Sequence, residues 1–525
     1  MDRPLFLNGF MATGKSTVGR LAAARLGVPF VDLDAAVEAR AGCRVAEIFA
    51  TKGESGFRQL EREELGRWLD TREPAVVALG GGALLAREPR LAALRRGYVV
   101  TLEATPATVL ARNGGKAARP LLAVPNPDRQ VAELLAQRRA SYAEAHARLQ
   151  TDERSPQAIA EEVVEVVRRR PIAVAAGESS YSVEVGVGLC AARLGALARG
   201  ASRVLLVTDS NVGPLHAATA IAALERAQLT ADVVRLDAGE EHKTLAAPQR
   251  IWEAALAQGV DRSGRMVALG GGVVTDITGF AAASWMRGIG WVGVPTTLLA
   301  MVDASVGGKT GVDLGPAKNA VGAFWQPRGV LCDISLLATE PDRGFVSALA
   351  EVVKTALIGD PELFLLLEKD PAAVLRRDPS VVADVVSRCI QVKADVVSRD
   401  ERESGLRATL NLGHTVGHAL EAQAGYSRLT HGEAISLGLV AACRLGERIG
   451  RTPPELSERV VRLLRTLGLP VELAKEPLAD AARLIGHDKK RAGKSIRFVV
   501  ARALGDVTTV DLPLAEVREL TPALR

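Results

Sequence analysis

The segment Gly9-Phe10-Met11-Ala12-Thr13-Gly14-Lys15-Ser16 carries the first group of residues whose types and spacing suggest chemistry. The spacing is typical of a phosphate-binding loop, in which backbone N–H groups of a glycine-rich turn surround phosphate oxygens. Lys15 would reach the outer phosphates, and Ser16 would ligate Mg²⁺. A strand pattern at residues 5–7 precedes the turn, and a helical pattern at residues 16–26 follows it. This context predicts a nucleoside triphosphate site.

Two carboxylates follow the next strand pattern, at residues 30–31. Strand alternation turns Asp32 and Asp34 the same way, so that one could help hold Mg²⁺ and the other a substrate hydroxyl. Two aspartates at a strand end are equally well explained as capping residues.

A second group of polar residues begins at Gly270-Gly271-Gly272, with Asp276 four residues further on. The turn follows an apolar strand but lacks the GxGxxG spacing of a dinucleotide fingerprint. Other polar groups end neighbouring strands or interrupt apolar sequence, which costs free energy unless they line a site. They are residues 208–211, 240–243, 295–297, Asp303, 307–309, Lys318 and Asn319.

Three histidines lie close together near the end of the chain. His414 and His418 are spaced i,i+4 on a predicted helix, about 6 Å apart on one face, and His431 follows. Glu351 lies in an earlier helical pattern. Two or three imidazoles with one carboxylate are the ligands of a catalytic zinc site. Spacing alone favours His414 and His418 as joint ligands.

The elements that must position these residues fall into three predicted domains. Strands alternate with helices over residues 1–170, which indicates βαβ units and a parallel sheet. A boundary is expected at Pro171, because proline disfavours helix at the residue before it. A second α/β domain is predicted over residues 171–340, and a mainly helical domain over residues 341–525.

Composition excludes several classes of protein. The 525 residues are 48% hydrophobic and 24% charged, which is typical of a folded soluble chain, and the net charge of +5 is too thinly spread for a nucleic-acid binder. No apolar stretch approaches the roughly 18 residues of a membrane span. The five scattered cysteines and the start of the chain predict a cytoplasmic protein.

Together with Phe57-Arg58, Gly80-Gly81-Gly82 and Arg119-Pro120, the first group resembles shikimate kinase over roughly residues 1–170. The resemblance implies ATP- and Mg²⁺-dependent phosphorylation of the shikimate 3-hydroxyl. It implies ATP contacts for Ala12, Thr13, Gly14, Lys15, Ser16, Thr17 and Arg119, shikimate contacts for Asp34, Arg58, Gly81 and Arg138, and Mg²⁺ contacts for Ser16 and, through water, Asp32. Lys15 and Asp34 would be catalytic.

Two details of this carry-over depend on single residues. Arg138 is preferred to Arg139, because the family's arginine lies four residues before a tyrosine, here Tyr142. Ala12 stands where the family commonly has glycine, so a positive φ there would carry a conformational cost.

Over roughly residues 172–525 the chain resembles 3-dehydroquinate synthase, through the motifs at 270–276, 307–311, 350–354 and 411–418. The resemblance implies that Glu351, His414 and His431 hold Zn²⁺ or Co²⁺ and that His418 reaches the substrate, against the interpretation from spacing. It implies NAD contacts for Asp209, Asn211, Glu240, Lys243, Gly271, Gly272, Asp276, Thr296, Thr297, Asp303, Lys309, Lys318 and Asn319. Substrate contacts are implied for Arg287, Asp303, Lys354, Lys393, Arg407, Asn411 and a lysine of residues 488–490. The resemblance implies a catalytic role for Arg287, Lys354, Lys393, Arg407, Asn411 and His418.

The implied reaction converts 3-deoxy-D-arabino-heptulosonate 7-phosphate to 3-dehydroquinate and phosphate. NAD would oxidise a ring alcohol transiently and be regenerated in each turnover. Asp313 and Gly344 depart from the family's common Asn and Glu, so modest effects on cofactor affinity are expected. The family also implies a homodimer formed through the synthase half, with small-molecule substrates and no membrane or nucleic-acid partner.

Four alternatives stay open at this point. The second half could be a sister cyclase acting on another sugar phosphate, such as sedoheptulose 7-phosphate, or a polyol dehydrogenase. The first half could be another small-molecule kinase, such as a gluconate kinase. A non-catalytic scaffold would be expected to show broken motifs, whereas Lys15, Ser16, Glu351, His414 and His431 are all present.

Overall fold

The computed structural model describes residues 1–113, 126–315, 317–425, 428–485 and 495–524, which form two compact units, Met1–Glu184 and Val185–Arg525. The first unit extends past the boundary expected at Pro171. Ala173 and Ala175 are buried in the same apolar cluster as Phe6 and Val77, so the residues that follow the proline contribute to this core. The separation of residues 171–340 from 341–525 stays a prediction. Arg119 and residues 488–490 lie outside the described residues.

A five-stranded parallel sheet forms the centre of the first unit, with strand order β2-β3-β1-β4-β5. Its elements are β1 (Leu5–Gly9), α1 (Lys15–Leu26), β2 (Phe30–Asp32), α2 (Leu33–Ala41), α3 (Val45–Asp70), β3 (Val76–Ala78), α4 (Arg87–Arg96), β4 (Tyr98–Glu103), α5 (Pro106–Asn113), α6 (Pro127–Ala143), β5 (Ala147–Gln150) and α7 (Pro156–Arg169). An antiparallel pair follows, β6 (Ile172–Val174) and β7 (Tyr181–Gly186). The strands and helices predicted for residues 1–170 are confirmed.

The α/β part of the second unit contains five neighbouring parallel strands in the order β14-β11-β10-β8-β9. Its elements are α8 (Leu189–Ala198), β8 (Val204–Asp209), α9 (Gly213–Arg226), β9 (Ala231–Leu236), α10 (Ala246–Ala257), β10 (Arg265–Gly270), α11 (Gly272–Ser284), β11 (Gly290–Pro295), β12 (Lys309–Leu314), β13 (Ala317–Phe324) and β14 (Val330–Asp333). Because the five strands are parallel, their carboxyl ends lie at one edge of the sheet. β12 and β13 form an antiparallel hairpin.

Helices dominate the rest of the chain, as predicted. They are α12 (Asp342–Gly359), α13 (Pro361–Lys369), α14 (Pro371–Leu375), α15 (Pro379–Arg399), α16 (His414–Gln423), α17 (His431–Arg448), α18 (Pro454–Thr466), α19 (Leu478–Leu484) and α20 (Leu514–Leu520), with the antiparallel pair β15 (Ser495–Ala503) and β16 (Asp506–Pro513). Among the described residues, no helix combines the length and apolar character that a membrane crossing requires.

Candidate active sites

The phosphate-binding turn lies between β1 and α1. Gly9 and Gly14 adopt positive φ angles of +132° and +93°, and Lys15 Nζ donates to the carbonyl oxygens of Gly9 and Phe10, both at 2.8 Å. Ala12 has a φ of +60°, so this position does require the left-handed conformation that disfavours alanine. The turn therefore has the shape expected of a phosphate cradle.

The pair predicted to hold Mg²⁺ is close together. Ser16 Oγ donates to Asp32 Oδ2 at 2.7 Å, while Asp32 Oδ1 accepts the backbone N–H of Asp34 at 3.2 Å. Asp32 thus caps α2 and also contacts Ser16 at the end of the phosphate loop, and its part in holding Mg²⁺ stays a prediction. Thr13 is buried in the turn and donates to the carbonyl of Phe10 at 2.9 Å, and Thr17 is exposed on the first turn of α1.

The four residues predicted to hold shikimate surround the glycine run after β3. A Cβ at Gly80 would lie 2.9 Å from Asp34 Oδ1, and a Cβ at Gly82 would lie 2.5 Å from Arg58 Nη1. Arg138 Nη1 donates to the Gly81 carbonyl at 3.2 Å. The run therefore needs glycine, because side chains there would displace the aspartate and the arginine.

Charges in this cleft influence one another. The pKa of Asp34 is raised, first by desolvation and then by the neighbouring Asp32 carboxylate, whereas Lys15 and Arg58 oppose the shift. Arg58 also forms a 2.6 Å ion pair with the buried Glu61. The cleft combines one carboxylate with basic groups, which suits a small hydroxy acid.

The preference for Arg138 over Arg139 fits the structure. Tyr142 donates to the same Gly81 carbonyl that Arg138 contacts, at 2.7 Å, whereas Arg139 forms an exposed 3.0 Å ion pair with Glu178.

Two residues of this site were missed in the sequence. Arg112 Nη1 donates to the Ala12 carbonyl at 3.4 Å, and its Nη2 donates to the Thr151 carbonyl at 2.6 Å. Glu61 braces Arg58 from one helical turn away. The i,i+3 spacing on α3 could have indicated Glu61, but no local signal connects Arg112 with the phosphate loop.

In the second unit, the predicted NAD residues gather at the carboxyl ends of the parallel strands. Asp209 ends β8, and Gly271 lies between β10 and α11. The amino terminus of α11 therefore lies at this edge of the sheet, and the amino terminus of a helix favours negative charge. Gly272 begins α11 and Asp276 lies in its second turn, while the other members follow strands β8, β9 and β11: Asn211, Glu240, Lys243, Thr296 and Thr297. Lys309 begins β12, and Lys318 and Asn319 lie on β13.

Lys243 connects this edge with the hairpin. Its Nζ donates to Asp276 Oδ2 at 2.7 Å and to Asn319 Oδ1 at 2.6 Å. Burial raises the pKa of Asp276 to about 6, although Lys243 opposes the shift. Asp313, which departs from the family pattern, accepts the backbone N–H of Asn319 at 2.6 Å.

The predicted substrate residues form a buried network of basic and acidic groups. Lys393 Nζ donates to Asp303 Oδ1 at 2.6 Å, and Lys354 pairs with Glu351. Asn411 Nδ2 donates to Glu403 Oε1 at 3.0 Å, and Lys309 pairs with the other oxygen of that carboxylate.

Two arginines complete the predicted substrate set. Buried Arg407 donates to the Gly307 carbonyl at 3.1 Å. Arg287 is exposed, has a φ of +65°, and makes no hydrogen bond to any described residue. Among the described residues, the network therefore includes Arg407 and leaves out Arg287.

The histidine cluster offers the donor set of a metal site. Glu351 Oε1 lies 3.3 Å from His431 Nε2 and 3.5 Å from His414 Nε2, and one donor atom from each of the three residues lies within 4.8 Å of the others. His414 Nδ1 faces the Leu412 carbonyl at 3.2 Å, which leaves Nε2 for a metal. One carboxylate and two imidazoles suit Zn²⁺ or Co²⁺.

His418 belongs to a different set of contacts. Its ring centroid lies 4.9 Å from that of His414, so the i,i+4 spacing did bring the two rings together. However, the carboxylate whose donor atom groups with His418 and His431 is Glu421, which faces His431 Nδ1, whereas Glu351 faces His431 Nε2. The residues that the family resemblance assigns to the metal therefore lie together, and the choice between them and joint ligation by His414 and His418 stays a prediction.

The pKa values of the two histidines near Glu351 shift in opposite directions. Burial, followed by repulsion from Lys354, holds the pKa of His414 well below its usual value. Burial opposes protonation of His431 too, but its contacts with Glu351 and Glu421 raise its pKa to about 10. A metal that binds here would therefore displace a proton.

Helix contacts position the ligands. Thr430 caps α17 in a reciprocal capping box with Glu433, so α17 begins at His431. A Cβ at Gly432 would overlap the Ser347 carbonyl of α12, the helix that carries Glu351. Close approach of these two helices depends on the absence of a side chain at Gly432.

Three residues at the synthase site were not anticipated, namely Glu403, Glu421 and Arg343. Glu403 and Glu421 were missed, although Glu421 lies three residues after His418 on a predicted helix. Arg343 forms a two-pronged contact with Glu433, at 2.9 and 2.8 Å. Gly344, the second departure, lies on α12 next to Glu340.

Fold and sites together define a chain that joins a P-loop phosphotransferase to an α/β enzyme with a carboxylate and histidine metal cluster. Family models match the same two parts: residues 11–168 match shikimate kinase, residues 233–347 match the N-terminal part of 3-dehydroquinate synthase, and residues 348–491 match its C-terminal part. The chain belongs to the 3-dehydroquinate synthase family and carries a shikimate kinase ahead of the synthase.

Individual relatives agree with this assignment. The 3-dehydroquinate synthase of Acidithiobacillus ferrooxidans is 44% identical over 359 residues, covering 67% of this chain and 98% of the relative. The structure of ValA, a 2-epi-5-epi-valiolone synthase from Streptomyces hygroscopicus with NAD⁺ and Zn²⁺ bound, is 30% identical, with a TM-score of 0.60 over 66% of this chain and 96% of ValA. A 2-deoxy-scyllo-inosose synthase complexed with carbaglucose-6-phosphate, NAD⁺ and Co²⁺ is 25% identical, with a TM-score of 0.61 over 67% of this chain and 99% of that protein.

Proposed function

We propose that the second unit converts 3-deoxy-D-arabino-heptulosonate 7-phosphate to 3-dehydroquinate and phosphate with NAD and one Zn²⁺ or Co²⁺. The observation that carries the proposal is the convergence of Glu351, His414 and His431 beside Lys354. The metal would polarise a substrate oxygen when bound. The identity of 44% to a 3-dehydroquinate synthase favours this substrate over that of a sister cyclase, since the two cyclase structures reach only 30% and 25%.

The chain's own residues would bind and orient this substrate. Lys393, Arg407 and Asn411 offer donors for its phosphate and carboxylate, since charge-assisted hydrogen bonds to such groups are strong. Asp303 and Glu403 hold Lys393 and Asn411 in place. His418, beside the metal cluster, would face the substrate as a proton-transfer group.

Metal content of purified variants tests the ligand assignment. His414→Ala and His431→Ala should each lose most of the bound metal, because each removes one of three protein ligands. His418→Ala should keep about one metal per chain and serves as the matched control. If His418→Ala empties the site as fully as His414→Ala, the assignment is wrong and the interpretation from i,i+4 spacing is restored.

For the first unit, we propose that Lys15 and Ser16 hold ATP and Mg²⁺ while Arg58 and Arg138 bind the shikimate carboxylate. The convergence of both arginines and Asp34 on Gly80–Gly82 supports this. Arg138→Ala should raise the KM for shikimate far more than the KM for ATP, because it removes one carboxylate contact. Arg139→Ala is the matched control, and equal effects of the two variants would contradict the assignment.

We also propose that the chain works in the cytoplasm as a homodimer formed through residues 171–525, on small-molecule substrates alone. Free thiols at all five cysteines support a reducing compartment. Sedimentation of the full chain, with a monomer as the contradicting result, tests the oligomeric state.

A further inference from the structure

The ring of His431 contacts carboxylates on both sides. Its Nε2 faces Glu351 Oε1 at 3.3 Å, and its Nδ1 faces Glu421 Oε2 at 3.4 Å. Glu421 lies on α16, and its side chain is only 8% exposed. Its other oxygen, Oε1, accepts a hydrogen bond from Lys318 Nζ at 2.9 Å. Both oxygens of this buried carboxylate therefore have defined partners.

These contacts determine the tautomer and the ring orientation of the His431 imidazole. A carboxylate at Nδ1 holds a proton on that nitrogen, fixes the ring orientation and leaves the Nε2 lone pair for a metal. For the other predicted histidine ligand, His414, the Leu412 carbonyl is the acceptor beside Nδ1. His414 and His431 thus each have an acceptor beside Nδ1, and the Nε2 atom of each faces Glu351.

We propose that Glu421 is a positioning residue for the metal ligand His431, and that Lys318 in turn holds Glu421. The inference rests on the proposed metal site. Lys318 comes from β13 and also lies 3.6 Å from Glu240 Oε1, so the chain of contacts runs from the cofactor edge to the metal cluster. The proposed cyclisation gives no role to Glu421 or to its contact with His431.

A second metal is the competing explanation. His418, Glu421 and His431 have donor atoms within 4.8 Å of one another, as a metal site requires. However, the Lys318 ammonium occupies one oxygen of Glu421 at 2.9 Å and would repel a cation beside it. The geometry therefore favours a carboxylate that supports one metal ligand over a carboxylate that binds a metal of its own.

Metal titration of the full chain tests the proposal. Glu421→Ala should raise the dissociation constant for Zn²⁺ about 10- to 100-fold, as loss of such outer contacts does. Glu421→Gln should have a smaller effect, because its amide oxygen can still accept from Nδ1. The visible absorption of the Co²⁺-loaded chain should shift in Glu421→Ala, since the ligand ring is no longer fixed. A merely structural role would not move that absorption band.

Two controls accompany the titration. Glu447→Ala removes a half-buried glutamate near the carboxyl end of α17 and should leave the Zn²⁺ dissociation constant unchanged. The melting transition of the second unit, measured by calorimetry of the Glu421→Ala chain, should be close to that of the unaltered chain, which shows that the unit carrying Glu421 is folded.

Two results would overturn the proposal. One is an unchanged Zn²⁺ dissociation constant and Co²⁺ absorption in Glu421→Ala. The other is binding of two metals by the unaltered chain, with the second lost in Glu421→Ala, since that would make Glu421 a ligand. If His414→Ala and His431→Ala keep their metal, the proposed site itself fails, which is a separate outcome.

Discussion

At the scale of single residues, Ala12 is held in a conformation that its side chain disfavours. Its φ is +60°, in the left-handed region, and it lies within the phosphate loop between Gly9 and Gly14. A left-handed conformation costs an alanine about 1–2 kcal/mol, and a glycine far less. The loop thus retains its shape at the expense of stability.

We therefore expect Ala12→Gly to stabilise the first unit by about 0.5–1 kcal/mol. Calorimetry of the full chain should show its melting transition about 1–4 °C higher. Ala35→Gly, at an exposed helical position of α2, is the matched control and should destabilise by a similar amount. A lower melting temperature for Ala12→Gly would contradict the argument.

His146 is a buried residue whose charge state affects stability. Its Nδ1 accepts the backbone N–H of Val99 at 2.9 Å, and its side chain is almost completely buried. Burial, followed by repulsion from Arg3, lowers the pKa of His146 to about 3, against an ordinary value of 6.5. The folded state consequently binds fewer protons than the unfolded state between these two values.

The sign of the pH dependence follows from that difference. The stabilisation is complete above pH 6.5 and is lost as the pH falls towards 3, by up to about 1.4 kcal/mol per pH unit. His146→Asn keeps an acceptor for Val99 but does not titrate. Between pH 6.5 and 5, the natural chain should lose about 2 kcal/mol more stability than this variant. Hydrogen exchange of β4 and β5 measures the difference, and equal losses would rule out the effect.

At the scale of elements, the metal cluster depends on how closely helices approach. His414 and His431 stand at the first positions of α16 and α17, and Glu351 lies in the middle of α12. Gly438 of α17 packs against the backbone at Gly413, where an added Cβ would overlap the carbonyl oxygen. Glycines at helix contacts thus set the distances between the ligands.

Gly432→Ala should therefore weaken metal binding at least about 10-fold, because its Cβ would push α17 away from Ser347 on α12. Equilibrium dialysis with Zn²⁺ measures the effect. Gly344→Ala on α12 is the control, since its Cβ would meet only the flexible end of Glu340. Equal affinities for the two variants would show that the helix contact does not position the ligands.

At the scale of the whole molecule, the kinase residues lie in Met1–Glu184 and the synthase residues lie in Val185–Arg525. Each unit has its own buried clusters, with Leu5 and Val100 in one of the first unit and Leu205 and Ile277 in one of the second. Each activity should depend on its own unit.

Variants of the full chain can test this independence. Lys15→Ala should lower shikimate phosphorylation by at least about 100-fold, because it removes the cation beside the transferred phosphoryl group, and should leave cyclisation unchanged. Glu351→Gln should abolish most cyclisation and leave phosphorylation intact. Assays of both reactions on both variants measure this, and loss of the second activity in either variant would refute independence.

The features that could be predicted from the sequence alone are those that depend on residues close together in the chain. The phosphate loop is predictable because Gly9, Gly14, Lys15 and Ser16 lie within eight residues, where backbone geometry leaves few conformations. The alternation of strands and helices is likewise local, and the motif 411–418 identified the synthase family. These features depend on neighbours in the chain, so they can be recognised without a structure.

Contacts between distant segments were decided only by the tertiary structure. The i,i+4 spacing placed His414 beside His418, but packing of both α12 and α16 against α17 brought His414 and His431 close to Glu351, while Glu421 lies within reach of His418 and His431. No local pattern distinguishes a pairing of His414 with His418 from a grouping of His414 with His431 and Glu351, because both are compatible with the same helix α16. The choice depends on backbone contacts between helices far apart in the chain, which exist only after those helices have packed.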